Sequence, residues 1–270
     1  NIQIDGTQYN DLFGLGATGA PGGQTGTTPI SIDAIQEFQV VVAPYDIKYG
    51  SFTGGGVNAI TRSGTNKWSG SIFGYGRNEN LVGAAGFKET DKDYPEFKEY
   101  AYGFRLGGPV IKDKLFLFAN GEITAKDQPL QNISLTTGPT TAEDLANQFA
   151  AILSSKGMDA GTYGTYTVEQ PSEKFFVRLD FNQSENHKMT LRHNYVTAYQ
   201  DILAGRNANT QVSFNTFAYR IKNITNSTVF QLNSTFSNSY SNELILGFTT
   251  IRDRRAGITD KRPEVRIMRE

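Results

Sequence analysis

Alternation of apolar and polar side chains dominates the chain from residue 68 onward. In 175–182, the apolar face consists of Phe175, Val177, Leu179 and Phe181, while Phe176, Arg178, Asp180 and Asn182 point the other way. The same period of two recurs in 100–106, 188–196 and 229–236. Successive side chains of a strand point to opposite faces of a sheet, so each segment predicts a strand with one apolar and one polar face.

The pattern predicts about seven such strands in all. They lie near 67–78, 100–111, 115–126, 173–183, 188–199, 217–237 and 242–256. An eighth strand is expected to begin at Glu264.

The connections between these strands alternate between short and long. Short connections fall at 112–114, 184–187 and 238–241, and long ones at about 79–99, 127–172 and 200–216. Short turns at one end and long loops at the other are typical of an up-and-down membrane β-barrel. The aromatic content alone would also suit the core of a soluble β-sandwich, such as an enzyme or a lectin, and this alternative stays open at the level of composition.

The second long connection, about 127–172, contains a predicted helix. Thr140 and Glu143 have the spacing of a capping box, and Gly157 is a typical helix stop. The expected apolar stripe consists of Leu145, Phe149, Ile152 and Leu153.

Residues 1–66 have a different character from the rest of the chain. Short strand-like pieces, one of them at about Glu37–Val42 and preceded by a helical turn, surround a loop at 14–29 that is rich in glycine, threonine and proline. We expect a small mixed α/β unit here. A wide barrel leaves room in its interior, and this unit is the natural candidate for a plug that fills it.

The polar faces of the predicted strands indicate what the barrel interior would contain. Arg105, Arg178, Asp180, Arg192 and Asn194 are expected to face inward. Aromatic girdles at the two membrane interfaces would use outward-facing side chains near strand ends. The candidates for such girdles are Trp68, Tyr75, Tyr100, Tyr102, Phe116 and Phe118.

Composition narrows the function classes further. The 270-residue chain has a net charge of −1 and contains no cysteine, which disfavours a nucleic-acid binder and excludes disulfides and thiolate chemistry. No apolar run approaches the roughly 20 residues of a membrane helix, whereas a membrane strand needs only about 9–11. The strand-like opening at 1–5 and the lack of a signal peptide or a stop signal lead us to expect a fragment of a longer protein.

The sequence contains no convincing motif for a cofactor, a metal or catalysis. The stretch GLGATG at 14–19 matches a dinucleotide-binding pattern, but the glycine- and proline-rich sequence that follows cannot form the required helix. His187 and His193 lack converging metal ligands. The acidic cluster of Asp91, Asp93 and Glu96 does not have calcium-loop spacing and is better read as a solvated charge run. We therefore expect no cofactor, no metal and no catalytic residue.

Several motifs together resemble the TonB-dependent outer-membrane receptors, most closely the Oar-like branch found in Bacteroidetes and related bacteria. Ile32, Asp33, Ile35, Phe38 and Val40 match the family's segment near the end of the plug. A second match follows in Gly56, Val57, Asn58, Ile60, Thr61, Arg62, Gly64 and Asn66. The segments 103–122 and 179–195 resemble the second and third, and the fourth and fifth, barrel strands.

The resemblance implies a mainly β fold, a transmembrane antiparallel barrel with a small α/β plug. Such barrels have about 22 strands when complete, and this chain would supply about seven. Residues 1–66 would be the C-terminal part of the plug, and residues 67–270 the N-terminal part of the barrel, with the helix-bearing connection extracellular. The TonB box, the first part of the plug, the remaining strands and the N-terminal β-domain of Oar-like receptors are not represented.

The resemblance also implies a function, partners and a location. The protein would import a substrate across the outer membrane of a Gram-negative bacterium, energised through the plug by the TonB–ExbB–ExbD complex, and would not be an enzyme. Outer-membrane lipid and a surface lipoprotein or other outer-membrane protein are further expected partners, and nucleic acid is not. The alternative is a structural, adhesion or protein-export component that imports nothing.

Three groups of site residues follow from this comparison. Arg62 and the interior residues Arg105, Arg178, Asp180 and Arg192 would hold the plug through polar contacts. Tyr9, Asn10, Asp11 and Phe13 are candidate ligand contacts, with simple packing against the barrel wall as the favoured alternative. The plug–barrel junction would comprise Gly54, Gly55, Gly56, Asn58, Arg62 and Gly64, a hinge-like joint. The three consecutive glycines 54–56 are expected to form a tight backbone passage in which added side chains would collide with neighbouring backbone, so Gly55→Val should impair plug folding or import.

Overall fold

The computed structural model describes residues 1–11, 14, 16, 18–42, 55–82, 96–130, 142–163, 166–203 and 214–258. The strands of these residues form two sheets. One has four strands and lies within residues 2–61, and the other has eight strands and lies within residues 69–257. None of the described helices combines the length and the apolar character needed to cross a membrane.

The four-stranded sheet organises residues 1–61, called the N-terminal unit below. Its strands are β1 (Ile2–Ile4), β2 (Thr7–Gln8), β3 (Ile35–Val42) and β4 (Gly55–Thr61), in the order β2-β1-β4-β3. Asp5 and Gly6 connect β1 to β2 with positive φ angles of 45° and 76°, as a two-residue hairpin requires. A single 3-10 turn at Ile32–Ala34 precedes β3, which confirms the predicted helical turn leading into a strand.

The eight-stranded sheet is called the wall sheet. Its strands are β5 (Ser69–Asn78), β6 (Lys98–Ile111), β7 (Leu115–Leu130), β8 (Tyr166–Glu169), β9 (Ser172–Asn182), β10 (His187–Leu203), β11 (Ala218–Ser237) and β12 (Tyr240–Gly257). Neighbouring strands pair in an antiparallel manner in the order β12-β11-β10-β9-β7-β6-β5, and the short β8 pairs with β7. Within the described residues the wall sheet is open, with β5 and β12 at its edges.

All seven strands predicted from the alternation are confirmed, with boundaries that agree to within a few residues. The pattern missed β8, because four residues inside a long connection carry too little alternation to stand out. The strand expected from Glu264 lies outside the described residues.

The connections alternate as predicted. Short turns join β6 to β7, β9 to β10 and β11 to β12, and all three lie at the same end of the antiparallel sheet. Helix α1 (Ala142–Ser155) lies in the long connection between β7 and β8. Gly157, with φ of 72°, follows it and confirms the predicted stop, while the predicted cap at Thr140 and Glu143 falls outside the described side chains.

The predicted apolar stripe of α1 divides between two environments. Phe149 and Leu153 pack with the buried Ala146, Ala160 and Phe214 in a small separate core. Leu145 and Ile152 are exposed. The reason is that the partners of the helix, 160–163 and Phe214, cover a face centred on Ala146 and Ala150 rather than the one centred on Leu145.

The register of the wall sheet fixes which side chains share a face. Leu117, Leu179, Leu191, Phe230 and Leu246 are successive cross-strand partners along one row. Arg192 next to Leu191 is buried toward the N-terminal unit, so the row faces outward. This row gives the outer face of the wall sheet a continuous apolar band, as a lipid-facing surface requires.

The outward face contains only part of the predicted aromatic girdle. Trp68, Tyr100 and Tyr102 are exposed on the outer face, and the Trp68 ring lies against Gly108. Tyr75, Phe116 and Phe118 point inward, so their assignment to a girdle was wrong. Strand parity explains the error, because Phe118 pairs with the inward-facing Arg178 and Tyr75 with Ala101 on the inner side.

Candidate functional site

The inner face of the wall sheet packs against the N-terminal unit. Phe118 and Phe176, 6.2 Å apart between ring centroids, come from β7 and β9 and join a core that includes residues of the N-terminal unit. The members contributed by that unit are Ile4, Tyr9, Ile30, Ala34, Ile35 and Ala59. Phe176 is 1% exposed, so this apolar contact is fully dry at its centre.

Asp5 lies at the centre of a buried polar cluster beside this core. Its carboxylate accepts hydrogen bonds from the backbone N–H and the hydroxyl of Thr61, both at 2.7 Å, and forms an ion pair with Arg192. The Nη1 atom of Arg178 lies 3.7 Å from the same carboxylate. One acidic side chain of the N-terminal unit therefore faces two cations of the wall sheet.

The two arginines are each held in place by other contacts. The Nη2 atom of Arg192 donates to the Ile4 carbonyl at 2.8 Å and to the Thr7 hydroxyl at 2.6 Å. Arg178 donates to the Thr61 hydroxyl at 2.9 Å and forms a bidentate pair with Asp180. Asp180 thus orients Arg178 rather than touching the N-terminal unit itself.

Asn194 forms the next contact along β10. Its amide donates to the Pro29 carbonyl at 2.9 Å and to the Tyr9 hydroxyl at 3.2 Å. Burial raises the pKa of Tyr9 to about 12, since an ionised phenolate would lose its solvation there. The phenol therefore stays neutral at physiological pH and accepts from the wall.

A second charged contact connects β7 and β9 to the loop before β3. Lys174 donates to Glu122 at 2.7 Å and to the Thr28 hydroxyl at 2.8 Å. The Ser31 hydroxyl donates to the other oxygen of Glu122 at 2.6 Å. The wall contributes both charges here, and the N-terminal unit contributes only hydroxyls.

Arg105 makes a much weaker contact. Its guanidinium lies 3.5 Å from the Asp33 carboxylate, and its Nε donates to Ser71 within the wall sheet. Ser71 in turn lies 3.4 Å from Asp33. All five predicted interior residues therefore face inward, with Arg178, Arg192 and Asn194 bonded to the N-terminal unit and Arg105 only loosely.

Several members of this interface were not identified from the sequence. Lys174 and Glu122 occupy inward positions of predicted strands, so strand parity could have found them. Asp5 and Ser31 could not have been found in this way, because they lie in turns of the N-terminal unit, where no periodicity assigns a direction.

The candidate ligand contacts use their polar atoms within the protein. Tyr9 is 4% exposed. Asn10 accepts from the Ile2 N–H at 2.8 Å, and Asp11 accepts from the Gly16 N–H at 2.8 Å. These three residues hold the irregular loop to β1 and to the wall, while Phe13 lies outside the described residues.

The tightest glycine of the predicted junction is Gly64. A Cβ atom there would lie 2.4 Å from the Leu117 carbonyl oxygen and 2.8 Å from that of Gly108, both backbone atoms. Gly55 is exposed, and the nearest atom to a Cβ built there is the Val41 carbonyl oxygen, at 3.8 Å. The expectation of a collision at Gly55 was therefore wrong, because Gly55 lies exposed at the start of β4. Gly54 lies outside the described residues.

The segment that follows the junction is fixed to the wall sheet through Asn66, whereas Asn58 and Arg62 bond to residues of the N-terminal unit. Asn66 forms a pair of hydrogen bonds with Asp113, whose φ of 61° marks the short turn between β6 and β7. Asn58 accepts from the Gly6 N–H at 3.0 Å and belongs to the N-terminal unit. Arg62 donates its backbone N–H to Ala34, and its Nε is buried without a hydrogen-bond partner.

A cleft separates the N-terminal unit from part of the wall sheet. Its volume is about 1090 Å³, and it lies between segments 25–28 and 32–38 of the N-terminal unit and the inner faces of β5, β6, β7 and the start of β9. Arg62, Phe73 and Tyr75 line it. Among the described residues no group of histidine, aspartate and glutamate side chains is arranged to hold a metal ion.

Comparisons with known proteins agree with this architecture. Residues 60–171 match a family model described as an outer membrane beta barrel domain. The TonB-dependent transporter Oar of Myxococcus xanthus is 33% identical over 123 residues, which make up 43% of this chain and 11% of that protein. The chain thus spans only a small part of the length of this relative.

Solved structures show the same fold. The outer membrane transporter YddB of Escherichia coli superposes with a TM-score of 0.61 at 12% identity, covering 96% of this chain and 32% of that one. A mutant of the ferric enterobactin receptor PfeA of Pseudomonas aeruginosa superposes with a TM-score of 0.50 at 14% identity, covering 94% and 37%. These matches confirm the resemblance found in the sequence: the chain carries part of an outer-membrane β-barrel domain of a Gram-negative bacterium and is similar to the TonB-dependent receptors, Oar among them.

Proposed function

We propose that the chain is part of a receptor that imports a substrate across the outer membrane, with residues 1–66 as the C-terminal part of a plug and residues 67–270 as the first part of the barrel. The observation that carries the proposal is the interface around Asp5. An apolar centre alone would hold the unit permanently, whereas the polar contacts around the centre can exchange their hydrogen bonds for water when the unit is pulled. The similarity to a TonB-dependent transporter supports the same mechanism.

In this mechanism TonB, energised with ExbB and ExbD by the proton gradient, pulls the plug from the periplasmic side. The residues of this chain bind and position the plug, and no covalent step is involved. Arg178, Arg192 and Asn194 return the plug to its resting place, because each donates a hydrogen bond to a residue of the N-terminal unit: Thr61, Ile4 and Tyr9, respectively. The fixed joint at Gly64 and Asn66 keeps the plug attached to the wall at its C-terminal end.

The experiment compares cells that make the complete protein with cells that lack it. Four radiolabelled probes are offered separately: a ferric chelate, an oligosaccharide, a peptide digest and cobalamin. We expect accumulation of one probe class that depends on both the protein and TonB and that stops when a protonophore is added. Equal accumulation in both strains for all four probes, together with a defect in surface attachment or protein export, would favour a structural role instead.

A further inference from the structure

Strands β11 and β12 carry three cations on the outer face of the wall sheet, at the end away from the short turn that joins them. Lys222 and Arg254 are cross-strand partners, and Arg252 lies two residues before Arg254 on β12. All three side chains are exposed, and they have the same strand parity as Leu246 of the outward apolar row. We call these three residues the outer basic cluster.

The side chains that alternate with the cluster point the other way. Asp253 accepts a hydrogen bond at 2.7 Å from Asn223, which is fully buried toward the N-terminal unit. The guanidinium of Arg255 lies 3.4 Å from the side chain of Gln24 in that unit. The outer basic cluster therefore faces away from the interior and toward the surroundings of the wall sheet.

Within the described part of the chain, the side chains of the outer basic cluster have no ion pair and no hydrogen bond. Arg220, an outward cation of the same strand, shows the contrast, since it pairs with Asp201 at 2.6 Å and with Glu169 at 3.2 Å. Lys222 and Arg254 instead lie directly opposite each other. Like charges in this position destabilise a sheet, and a bound anion would remove that cost.

Strand geometry gives the height of the cluster relative to the lipid. Tyr240 begins β12 on the side of the short turns and is 73% exposed, as an aromatic side chain at the membrane interface would be. A strand tilted by about 40° rises about 2.6 Å per residue along the membrane normal, so an apolar band about 25 Å tall takes up roughly ten residues. Arg252 and Arg254 come later than that along β12 and stand just beyond the band, at the level of the head groups on the side of the long loops.

We propose that the outer basic cluster binds the phosphates of a lipid in the outer leaflet, whose acyl chains lie against Leu246 and Phe248 beside it. Charge complementarity carries the proposal, because three cations without an anion stand next to head groups that can supply one. Arginine binds phosphate through paired N–H groups, and lysine adds a compact charge. Leu246 and Phe248, 57% and 71% exposed on the same face of β12, provide the apolar surface.

An acidic protein fits this surface less well than a lipid. The side chains of the cluster point along the membrane plane at the edge of the lipid, rather than into the water above it. Lipid binding of this kind is independent of import, since it uses only the outer face of the wall sheet.

The test uses the complete protein, purified in a neutral detergent, and two probes. These are diphosphoryl lipid A and the same glycolipid after removal of both phosphates, and native mass spectrometry gives the dissociation constant of each. A triple variant, Lys222→Gln with Arg252→Gln and Arg254→Gln, removes the cluster. Arg254→Gln and Arg255→Gln are a matched pair, because each removes one cation of β12 at the same height but on opposite faces. Mobility on an unboiled gel shows which variants are folded, and the matched pair decides the question if the triple variant is not.

We expect the wild-type protein to bind the phosphorylated glycolipid at least about tenfold more tightly than the dephosphorylated one, since each cation near anionic head groups contributes about fivefold. The triple variant should lose this preference, Arg254→Gln should lower it about fivefold, and Arg255→Gln should leave it within about twofold. Equal binding of the two glycolipids by the wild type, or equal effects of Arg254→Gln and Arg255→Gln, would overturn the proposal. Loss of a co-purifying protein from the triple variant, with lipid binding unchanged, would also overturn it and would assign the surface to a protein.

Discussion

At the scale of single residues, two side chains decide how the N-terminal unit is held. Asp5 is the carboxylate of the N-terminal unit that both Arg178 and Arg192 approach, and Gly64 is a position where an added Cβ would meet two backbone oxygens of the wall. Both lie in turns. The alternation of the strands identified the arginines but gave no direction for Asp5. The sequence predicted steric crowding at Gly55 rather than at Gly64, because three consecutive glycines are more conspicuous than a single one.

Asp5→Asn is expected to loosen the interface strongly. The change leaves Arg192, with a side chain 5% exposed, without its counter-charge, and removing one partner of such a pair costs about 3–5 kcal/mol. Limited proteolysis of the purified protein in detergent should cut within residues 1–61 much faster than in the wild type. Asp33→Asn is the matched control, and equal proteolysis of the two variants would contradict the central role of Asp5.

Gly64→Ala and Gly55→Ala separate the two glycine positions. The Cβ added at Gly64 meets two backbone oxygens and should cost about 1–3 kcal/mol through overpacking. The same change at Gly55 meets nothing closer than 3.8 Å and should stay within about 0.5 kcal/mol. Denaturant unfolding followed by the fluorescence of Trp68, the single tryptophan, measures both. A larger effect at Gly55 would restore the original interpretation of the triple glycine.

At the scale of elements, the sequence predicted the wall sheet well and the N-terminal unit less completely. Long amphipathic strands such as β10 and β11 repeat one signal over 17 and 20 residues, so their existence and their faces follow from period two alone. Short strands such as β2 and β8 carry no such repetition. The contact between α1 and Phe214 joins two loops far apart in sequence, and no local pattern contains that information.

The loop core around α1 should behave as a separate unit. Phe214→Ala removes the ring that Phe149 and Tyr163 pack against, at 5.6 and 5.7 Å between centroids, and large-to-small changes of this kind cost about 3–5 kcal/mol. Hydrogen exchange should rise in 142–163 and stay unchanged in β9–β11. Ile152→Ala, on the exposed side of the helix, should change neither, and faster exchange throughout the strands of the Phe214 variant would rule out an independent loop core.

Strand β12 allows a direct test of the lipid-facing band. Leu246 lies in the outward row and Ile245 beside it points inward, so the two test opposite faces at the same height. Leu246→Arg should destabilise the folded protein by about 2–4 kcal/mol near the bilayer midplane, whereas Ile245→Arg should be tolerated more readily. The fraction of each variant that stays folded on an unboiled gel measures its stability. Greater destabilisation by Ile245→Arg than by Leu246→Arg would mean that the assignment of inner and outer faces is wrong.

At the scale of the whole molecule, the proposed import requires a wall that crosses the outer membrane with a plug inside it. The family match over residues 60–171 and the apolar outer row support the wall, and the polar interface supports a plug that can be moved. Strands of 17 to 20 residues exceed the roughly 9–11 needed for a crossing. We therefore expect their loop ends to stand outside the membrane together with α1.

The most direct test of this account is the orientation of the wall in intact cells. Met158→Cys, after α1, and Glu185→Cys, in a short turn, are introduced singly into the complete protein and labelled with a membrane-impermeant maleimide. The account predicts labelling of the Met158 variant in intact cells and of the Glu185 variant only after the outer membrane is permeabilised. Equal labelling of both in intact cells, or labelling of the Glu185 variant alone, would contradict a membrane-spanning wall with its long loops outside.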